Sequence, residues 1–574
     1  MQSESRHPEV ADSSPPPQDW SISGEGHPRR WAILAVLVVS LLVVVLDSTV
    51  LNIALPTIQG ELHATQSELT WAVDSYIVVF AALLFTWGVL GDRFGRKRIL
   101  IVGLLIFGSA SAFSAFASTP LWLTGSRGLM GVGGAAVMPA TLAIITVVFP
   151  PHERGRAIGT WAGAVGAAIS LGPVLGGLLL AHPEWTRWLT GNSWGSVFLI
   201  NVPIVIVGIV GILRIVPETR NPRRQRLDFV GLVLSFTGLL SLVYGIIHAS
   251  SVGGWRNPGV LGPVGLGLLL IAGFLVYEWR SSGRSFDVRL FRNRGYAVSL
   301  GAVSLTFFAM TGIMFSLPFY LQVLRGYGTL QAGLAFMPFA VGQLIAAPNS
   351  ARMVERFGYR AVMTTGLAIV ATSLAALTRL NMDTNMVLVL IGFFAFGLGM
   401  GNVIAPSTSV MQNILPLSRA GAGSAVQNTV RQVFGALGVA TVGAVLGTQY
   451  ASRSAEVFAA LPPEFPRAQA EESVVATNQV LSAWESQGGV PTDQIELIRA
   501  GAFEAFLGAS QVAVAISTVM VVIAALLVAF LLPRIRPPRV GDRSPRDTWD
   551  QPQEVTEREI ENVMGLAPDA PASD

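Results

Sequence analysis

Long apolar stretches alternate with short polar ones along almost the whole chain. A membrane-spanning helix needs about twenty mainly apolar residues, since each residue adds ~1.5 Å along the helix axis. About fourteen stretches meet this requirement. We predict spans at 31–55, 70–90, 99–117, 120–148, 156–181, 194–215, 229–248, 259–279, 297–323, 329–350, 361–379, 385–413, 421–448 and 503–532. The pattern therefore predicts an all-α polytopic membrane protein.

The distribution of basic residues predicts the orientation of these spans. Cytoplasmic loops carry an excess of arginine and lysine. With the N-terminus inside, the second loop and every alternate loop after it hold about twenty basic residues, and the other loops hold about seven. Because one missed span would invert the pattern beyond it, the tally favours fourteen transmembrane helices with both termini cytoplasmic.

An internal repeat indicates how the spans are grouped. The segment GVLGDRFGRKR (88–98) has a weaker copy in ARMVERFGYR (351–360), in which Glu355 aligns with Asp92. Each copy follows the second span of a set of six, so two spans remain between the sets. Two parallel halves of this kind are typical of one class of secondary transporters.

The repeat and the polar segments together divide the chain into regions. We expect a disordered cytoplasmic tail at each end, two six-helix bundles, a two-span insert with basic cytoplasmic loops between them, and an external loop late in the second bundle. In that order, the tails cover 1–30 and 533–574, the bundles 31–216 and 296–532, the insert 217–295 and the loop about 449–502.

Composition excludes several classes of protein. Hydrophobic residues make up 51% of the chain and charged residues 13%, whereas soluble domains are about a quarter charged. The chain has no cysteine, which excludes disulfides and thiol chemistry. Its histidines form no pair with metal-ligand spacing, so we expect no metal site. A net charge of +3 without a basic stripe gives no reason to expect nucleic acid.

Charged residues within apolar spans are candidate functional residues. Asp47 lies ~24 Å along the outward-running first span, and Arg127 lies ~10 Å below the outer face in the fourth. Asp74 lies near the start of the second span. We hypothesise that both carboxyl groups share an outer layer with Arg127. Burial disfavours the charged form of a carboxyl group, and a nearby arginine favours it. Rearrangement between states could therefore make a carboxyl group bind or release a proton.

Simpler interpretations of these three residues remain open. Asp47 could make a structural hydrogen bond to a neighbouring helix, and Arg127 could extend to the outer interface. Asp74 could face water at the end of its helix. Five further residues are candidates for the wall of a substrate cavity or for contacts between helices, namely Asn52, Gln343, Asn402, Gln427 and Arg431.

Glycine-rich segments supply two further motifs. In the loop at 88–98, glycines allow a tight turn and close helix ends around charged residues; its candidate residues are Gly88, Asp92, Arg93, Gly95 and Arg96. The alternative is a basic loop that only fixes topology. In GAAISLGPVLGG (166–177), the pair Gly172-Pro173 interrupts the helical hydrogen-bond ladder, while Gly176 and Gly177 allow close packing. The alternative here is an ordinary proline kink.

With these motifs the chain resembles the fourteen-span drug:proton antiporters (the QacA/EmrB-like group) of the major facilitator superfamily. The resemblance covers nearly all of 31–532. It rests on the two glycine-rich segments, on LDSTVLNIALP (46–56) and on RGLMGVGGAA (127–136). Met130 replaces the usual glutamine of the last motif, and Ala168 replaces a usual glycine in the fifth span.

The resemblance implies a fold for the chain and roles for the residues of two motifs. The fold is the major facilitator fold, with two six-helix bundles plus two extra spans. Asp92 is expected to pair with positive charge and a helix N-terminus across the bundle interface, which would latch one conformation. The motif ending in Gly176 and Gly177 is associated with exporters and not with symporters.

We therefore expect a proton-coupled exporter of hydrophobic, often cationic drugs or toxic compounds. It would work by alternating access in the cytoplasmic membrane of a bacterium, as a monomer among membrane lipids, with a proton gradient and no cofactor. Lys97, the only lysine, follows Arg96, so no phosphate-binding loop exists, and no catalytic constellation indicates an enzyme. The alternatives are a dedicated exporter of one endogenous lipid, metabolite or antibiotic, and a transport-inactive scaffold or sensor.

Overall fold

The computed structural model describes residues 26–219, 228–252, 254–280, 291–414, 420–459, 461–486 and 492–534. These residues form helices and their connections, without strands. The predicted tails lie almost wholly outside the described residues. The principal helices are α1 Arg30–Leu62, α2 Gln66–Phe94, α3 Arg96–Ala115, α4 Pro120–Val148, α5 Pro151–Ala181, α6 Asn201–Ile215, α7 Phe229–Ser251, α8 Pro258–Arg280, α9 Arg294–Phe319, α10 Met337–Leu377, α11 Met386–Ile414, α12 Ala420–Phe458, α13 Val474–Ser486 and α14 Thr492–Leu531.

Local sequence signals set the ends of several helices. Thr65 caps α2, since its hydroxyl accepts from the backbone N–H of Glu68 and the Glu68 carboxylate accepts from that of Thr65. Thr119 caps α4 just before a proline in the first turn. Asn293 caps α9 by accepting from two backbone N–H groups. These caps satisfy donors that have no partner within the helix.

Within the described part of the chain, 12 helices are long and apolar enough to cross a membrane. One of them, Thr329–Leu377, includes two of the predicted spans, 329–350 and 361–379. Another predicted span, 156–181, contributes only the shorter apolar helix Leu171–Ala181. These two differences explain why the structure yields fewer candidate helices than the sequence pattern predicts.

The two copies of the repeated segment turn the backbone in the same way. Gly95 has φ 110° and separates α2 from α3. Gly358, its counterpart, has φ 80° and interrupts α10. A side chain is strained in this left-handed region, so glycine is the residue that fits both turns. The alignment made from sequence thus pairs two backbone positions with the same unusual conformation.

The helices form two groups that meet along two seams. In the first group, α1 packs on α5 and α6, and α4 packs on α2 and α3; in the second, α9, α11, α12 and α14 pack around one another and α10. One seam joins α2 to α12, and the other joins α5 to α10 and to the short helix Thr329–Leu334. We call these the α2–α12 seam and the α5–α10 seam.

The insert packs on the first of these seams. Helices α7 and α8 pack together, and α7 also contacts both α2 and α12. Small and branched apolar residues form the contact, including Ala81 of α2, Val243 of α7 and Ala436 of α12. The insert is therefore attached to both groups of helices at once.

The predicted outer end is held closed by contacts between the two groups. The Gln322 side chain donates to the carbonyl of Ile53 at 2.8 Å. The Thr329 hydroxyl donates to the carbonyl of Gly177 at 3.1 Å. Both bonds join the C-terminal group to helices of the N-terminal group, so the two groups are in direct contact at this end.

The segment 449–502 was predicted as an external loop, and the structure shows that it is mostly helical. Helix α12 runs on to Phe458, and the short helix Arg467–Ala470 and α13 follow. Their apolar side chains form a small core of their own with the start of α14. The Gln479 side chain donates to the carbonyl of Gly60 in α1 at 2.6 Å. We call residues 467–486 the helical cap.

Candidate functional site

Asp47 and Arg127 form an ion pair inside the N-terminal group of helices. The guanidinium of Arg127 in α4 donates to the carboxylate of Asp47 in α1. Their side chains are 0% and 1% exposed. The two residues, which were predicted to lie in one layer, are therefore in direct contact. A buried charge pair is stable only when its remaining hydrogen-bonding groups are also satisfied.

Neighbouring helices supply those further partners. Asn201 at the start of α6 donates to the second carboxylate oxygen of Asp47 at 2.9 Å. The guanidinium of Arg127 also donates to the carbonyl of Ala72 at 3.2 Å and lies 4.6 Å from the ring centre of Tyr76. Met130, at the position of the family's glutamine, contacts Arg127 through its sulfur at 3.8 Å. The pair is thus fixed from four helices.

Asp74 does not join this pair. Its carboxyl group is fully buried, and neither oxygen has a hydrogen-bond partner among the described residues. One turn earlier, Thr70 lies against Gly443 of α12, and one turn later Val78 packs with Ala440 of the same helix. Asp74 therefore lies on the face of α2 that forms the α2–α12 seam. The predicted layer of three charged residues is divided into an ion pair and a separate carboxyl group.

A central cavity lies between the two groups of helices. Its wall is mainly aromatic and apolar, with residues from α1, α2, α4 and α5 on one side and from α9, α10 and α12 on the other. Aromatic side chains in this wall include Tyr76, Phe80, Phe307, Phe336 and Phe339. Polar side chains include Ser48, Thr49, Asn52, Thr311 and Gln432.

The predicted cavity residues divide into two sets. Asn52 and Arg431 line the central cavity. Gln343, Asn402 and Gln427 are not among the described lining residues of this cavity, and a cavity role for them stays a prediction. Gln427 instead donates to the hydroxyl of Thr408 at 2.8 Å and joins α12 to α11. A polar residue in a span does not by itself reveal whether it faces a cavity or a neighbouring helix.

Acidic charge is absent from the described lining of the cavity. Asp47 is the nearest acidic residue along α1, but its carboxylate is bonded to Arg127 and Asn201 instead. The charged group in the described wall is the guanidinium of Arg431, which lies 4.7 Å from the ring centre of Phe307. The expected transport of cationic compounds is therefore not supported by any acidic residue in the described wall.

The loop at 88–98 forms a charged turn. Arg96 donates through two nitrogens to Asp92 at 2.9 and 3.0 Å, and through a third to the carbonyl of Ala143 in α4 at 3.1 Å. Gly88 packs near Pro139 of α4, and Arg93 extends beside Phe94. Asp92 is thus paired within its own loop, and its predicted partner across the bundle interface stays a prediction.

Glu218 completes this turn and was not predicted from the sequence. Its carboxylate accepts from the backbone N–H of Lys97 at 3.1 Å, at the start of α3. It also lies 3.6 Å from the Arg98 guanidinium. A Cβ atom on Gly95 would lie 2.5 Å from this carboxylate. A carboxylate at a helix N-terminus is stabilised by the exposed N–H groups there, and the acidic residue following Pro217 was the available signal.

The glycines of α5 allow two close contacts. Gly172 lies against Thr49 and Gly176 against Val50, both in α1. A Cβ atom on Gly177 would lie 2.5 Å from the carbonyl oxygen of Thr329. The motif therefore packs α5 on α1 and, one residue further, on the C-terminal group at the predicted outer end.

A second cavity lies beside the insert. Helices α2, α7, α8 and α12 line it. Glu278 of α8, an acidic residue in a predicted span that the sequence analysis did not single out, is 1% exposed in its wall. Within the described ranges, no group of three or more histidine, aspartate or glutamate residues could hold a metal ion.

The fold and these motifs match known proteins. The model of the Major Facilitator Superfamily matches residues 37–439, and the chain belongs to this family of membrane transporters. It is therefore a transporter and not an enzyme, and it is a multi-pass protein of the bacterial cytoplasmic membrane.

Individual relatives are export proteins of bacteria. The chain is 33% identical over 431 residues to the tetracenomycin C resistance and export protein of Streptomyces glaucescens, covering 75% of this chain and 78% of the relative. It is 34% identical over 444 residues to the multidrug efflux pump LfrA of Mycolicibacterium smegmatis, and the match covers 77% of this chain and 86% of the relative.

Solved structures show the same fold at low identity. An inward-facing, unoccupied bacterial homologue of the human lysosomal transporter Spinster superposes with a TM-score of 0.62. The two chains are 18% identical, and the match covers 88% of this chain and 97% of the other. At this identity the likeness concerns the fold alone.

Proposed function

We propose that the protein is a proton-coupled exporter of hydrophobic small molecules that works by alternating access. The observation that carries this proposal is the position of Asp74, a fully buried carboxyl group without a described partner, on the seam between the two groups of helices. An unpaired carboxylate is costly in such a place, whereas a protonated carboxyl group is neutral. Closure of this seam is therefore favoured when Asp74 carries a proton.

This linkage gives a coupling scheme. When the outer end opens, water reaches Asp74, and a proton from outside binds. Closure buries the neutral group, and loss of the proton towards the inside leaves a charge that favours reopening. The ion pair of Asp47 and Arg127 holds α1, α2, α4 and α6 as one unit during this cycle. A proton can shift this equilibrium only as far as its affinities for the two states differ.

The topology belongs to the same proposal. We propose fourteen spans, with the kinked Thr329–Leu377 segment as two of them and α5 as another, in bundles 31–216 and 296–532 around the insert. Basic residues of the alternate loops support cytoplasmic termini. The helical cap then lies outside, and the repeated loops lie at the cytoplasmic end. We further propose that the monomer is the transporting unit, since the central cavity is lined by a single chain.

Export from everted membrane vesicles tests the function. Accumulation of hydrophobic dyes driven by a proton gradient is expected, together with its loss on adding an uncoupler. Asp74→Asn should abolish the dependence on the gradient, because the side chain can no longer bind a proton. Glu464→Gln on the exposed surface of the 449–502 segment is the matched control and should transport normally. Uncoupler-insensitive export, or full coupling in Asp74→Asn, would contradict the proposal.

A dedicated exporter of one endogenous compound is the second candidate. The relative named for tetracenomycin C favours it. A broad panel of dyes and drugs separates the two, because a dedicated exporter would move one structural class and leave the others inside the cell.

A further inference from the structure

The charge of the central cavity carries a further inference, which rests on the proposed function. Among the described residues of the cavity wall, Arg431 alone carries a charge. It lies on α12, opposite the polar side chains of Ser48 and Asn52 on α1. The space in which a transported compound would sit is therefore electropositive.

Arg431 has no anionic partner within the described part of the protein. Its Nε atom is buried without a hydrogen-bond partner, and its guanidinium contacts the ring of Phe307. A ring face stabilises a cation only modestly, by about 0.5–2 kcal/mol. A guanidinium has five N–H donors, and a desolvated one without an acceptor is unfavourable.

The acidic residues closest in sequence to the cavity wall do not fill this role. Asp47 precedes the lining residue Ser48, but both its carboxylate oxygens are bonded within the N-terminal group. Asp74 follows the lining residue Val73, but it lies on the face of α2 towards the α2–α12 seam. The partner that Arg431 lacks can therefore come from a bound compound.

The rest of the wall indicates what else that compound carries. Phe336 and Phe339 lie in the wall, as do Tyr76 and Phe80, and such rings favour contact with flat aromatic surfaces. A guanidinium fork matches a carboxylate with two parallel hydrogen bonds and pairs strongly with other oxyanions. We propose that the central cavity selects aromatic compounds that bear a carboxylate or phenolate, and that Arg431 binds this oxyanion.

Matched dyes test the charge preference. Fluorescein and rhodamine 123 share a xanthene skeleton, but the first is an anion and the second a cation at neutral pH. Fluorescence polarisation with the purified full-length chain is expected to show fluorescein binding at least about tenfold tighter, the gain of one charge-assisted hydrogen-bonded contact. Fluorescein with both its carboxylate and its phenol methylated, which carries no oxyanion, should bind more weakly by a similar factor. Equal or tighter binding of rhodamine 123 would overturn the proposal.

Variants of Arg431 assign the effect to this side chain. Arg431→Gln should lose the preference for fluorescein without weakening the binding of rhodamine 123, because the like charge that faces this cation is removed. Arg431→Lys should retain part of the preference. Arg379→Gln, at an exposed position on the turn after α10, is the control and should behave as the wild type. A uniform loss of affinity for both dyes in Arg431→Gln would indicate a structural role and overturn the proposal.

The binding assay uses no proton gradient, so the two proposals fail separately. Charge selection in a chain that shows no gradient-driven export would contradict the proposed function alone. Uncoupler-sensitive export without charge selection would contradict the role of Arg431 alone. A cavity that prefers cations would return the substrate class to the one first expected from the sequence.

Discussion

At the scale of single residues, the pair of Asp47 and Arg127 explains why charges persist in apolar helices. Each charge is costly to bury alone, and each removes that cost from the other. Asn201 and Tyr76 complete their surroundings. The sequence predicted that both residues lie in one layer, because the charges interrupt an apolar pattern at similar depth. It could not predict Asn201, since helix rotation decides which polar side chain faces the pair.

Removal of one member of the pair should cost more than removal of both. Asp47→Asn leaves Arg127 buried without its counter-charge, for which about 3–5 kcal/mol is the expected loss of stability. The double variant Asp47→Asn/Arg127→Gln should recover part of that loss. Thermal unfolding of the purified protein in detergent measures each step.

An exposed ion pair supplies the control for that cycle. Glu485 and Arg499 lie 3.8 Å apart with partly exposed side chains, so Glu485→Gln should change stability by less than about 1 kcal/mol. Equal losses for Asp47→Asn and for the double variant would show that the two charges do not stabilise each other.

At the scale of helices, the repeated loop shows what sequence alignment can predict. The alignment of Gly95 with Gly358 identified two turns with the same left-handed backbone. The surroundings of the two turns differ, however. A Cβ atom on Gly95 would meet the Glu218 carboxylate, whereas one on Gly358 would meet nothing within 4 Å. Sequence could not predict this difference, because Glu218 is far from Gly95 along the chain.

Alanine at these two glycines should therefore have unequal effects. Gly358→Ala bears only the cost of a left-handed backbone, about 1–2 kcal/mol. Gly95→Ala bears that cost and also displaces the carboxylate that caps α3, so its melting temperature should fall further. Thermal unfolding of both variants tests this order, and an equal fall would exclude a stabilising role for Glu218.

At the scale of the whole molecule, the helical cap joins the two groups of helices at the predicted outer end. Gln479 of the cap bonds to Gly60 of α1, and Glu472 lies near Glu68 of α2. The sequence analysis predicted an external loop here and not its helices, because short amphipathic helices between two spans have a weak apolar pattern. The apolar core of the cap forms only when the ends of α12 and α14 come together.

Acidic pH should favour the closed outer end. Partial burial and the nearby Glu68 carboxylate raise the pKa of Glu472. The closed state therefore binds a proton at Glu472 more tightly than a state in which the cap has moved away. Its contribution to closure is full below the ordinary pKa and is lost as pH rises through the raised pKa. Spin labels at two exposed positions, Trp188→Cys in the short helix Glu184–Thr190 after α5 and Glu464→Cys just before the cap, measure the separation of the two groups at this end. A larger fraction of the closed-state distance between the labels is expected at lower pH.

Glu472→Gln provides the comparison for this pH dependence. The neutral side chain removes the repulsion at every pH, so the closed population should be larger and should vary less across the acidic range. Both labels report without interference, since the natural chain has no cysteine. An unchanged pH dependence in Glu472→Gln would assign the effect to another group.

The position of the insert has a consequence for traffic between the bilayer and the transporter. Helices α7 and α8 cover the flank of the α2–α12 seam, and the α5–α10 seam has no such cover from them. A hydrophobic compound dissolved in the bilayer can pass laterally between the two groups of helices only where a seam borders on lipid. We therefore expect lateral entry from the bilayer on one side of the molecule only, at the α5–α10 seam.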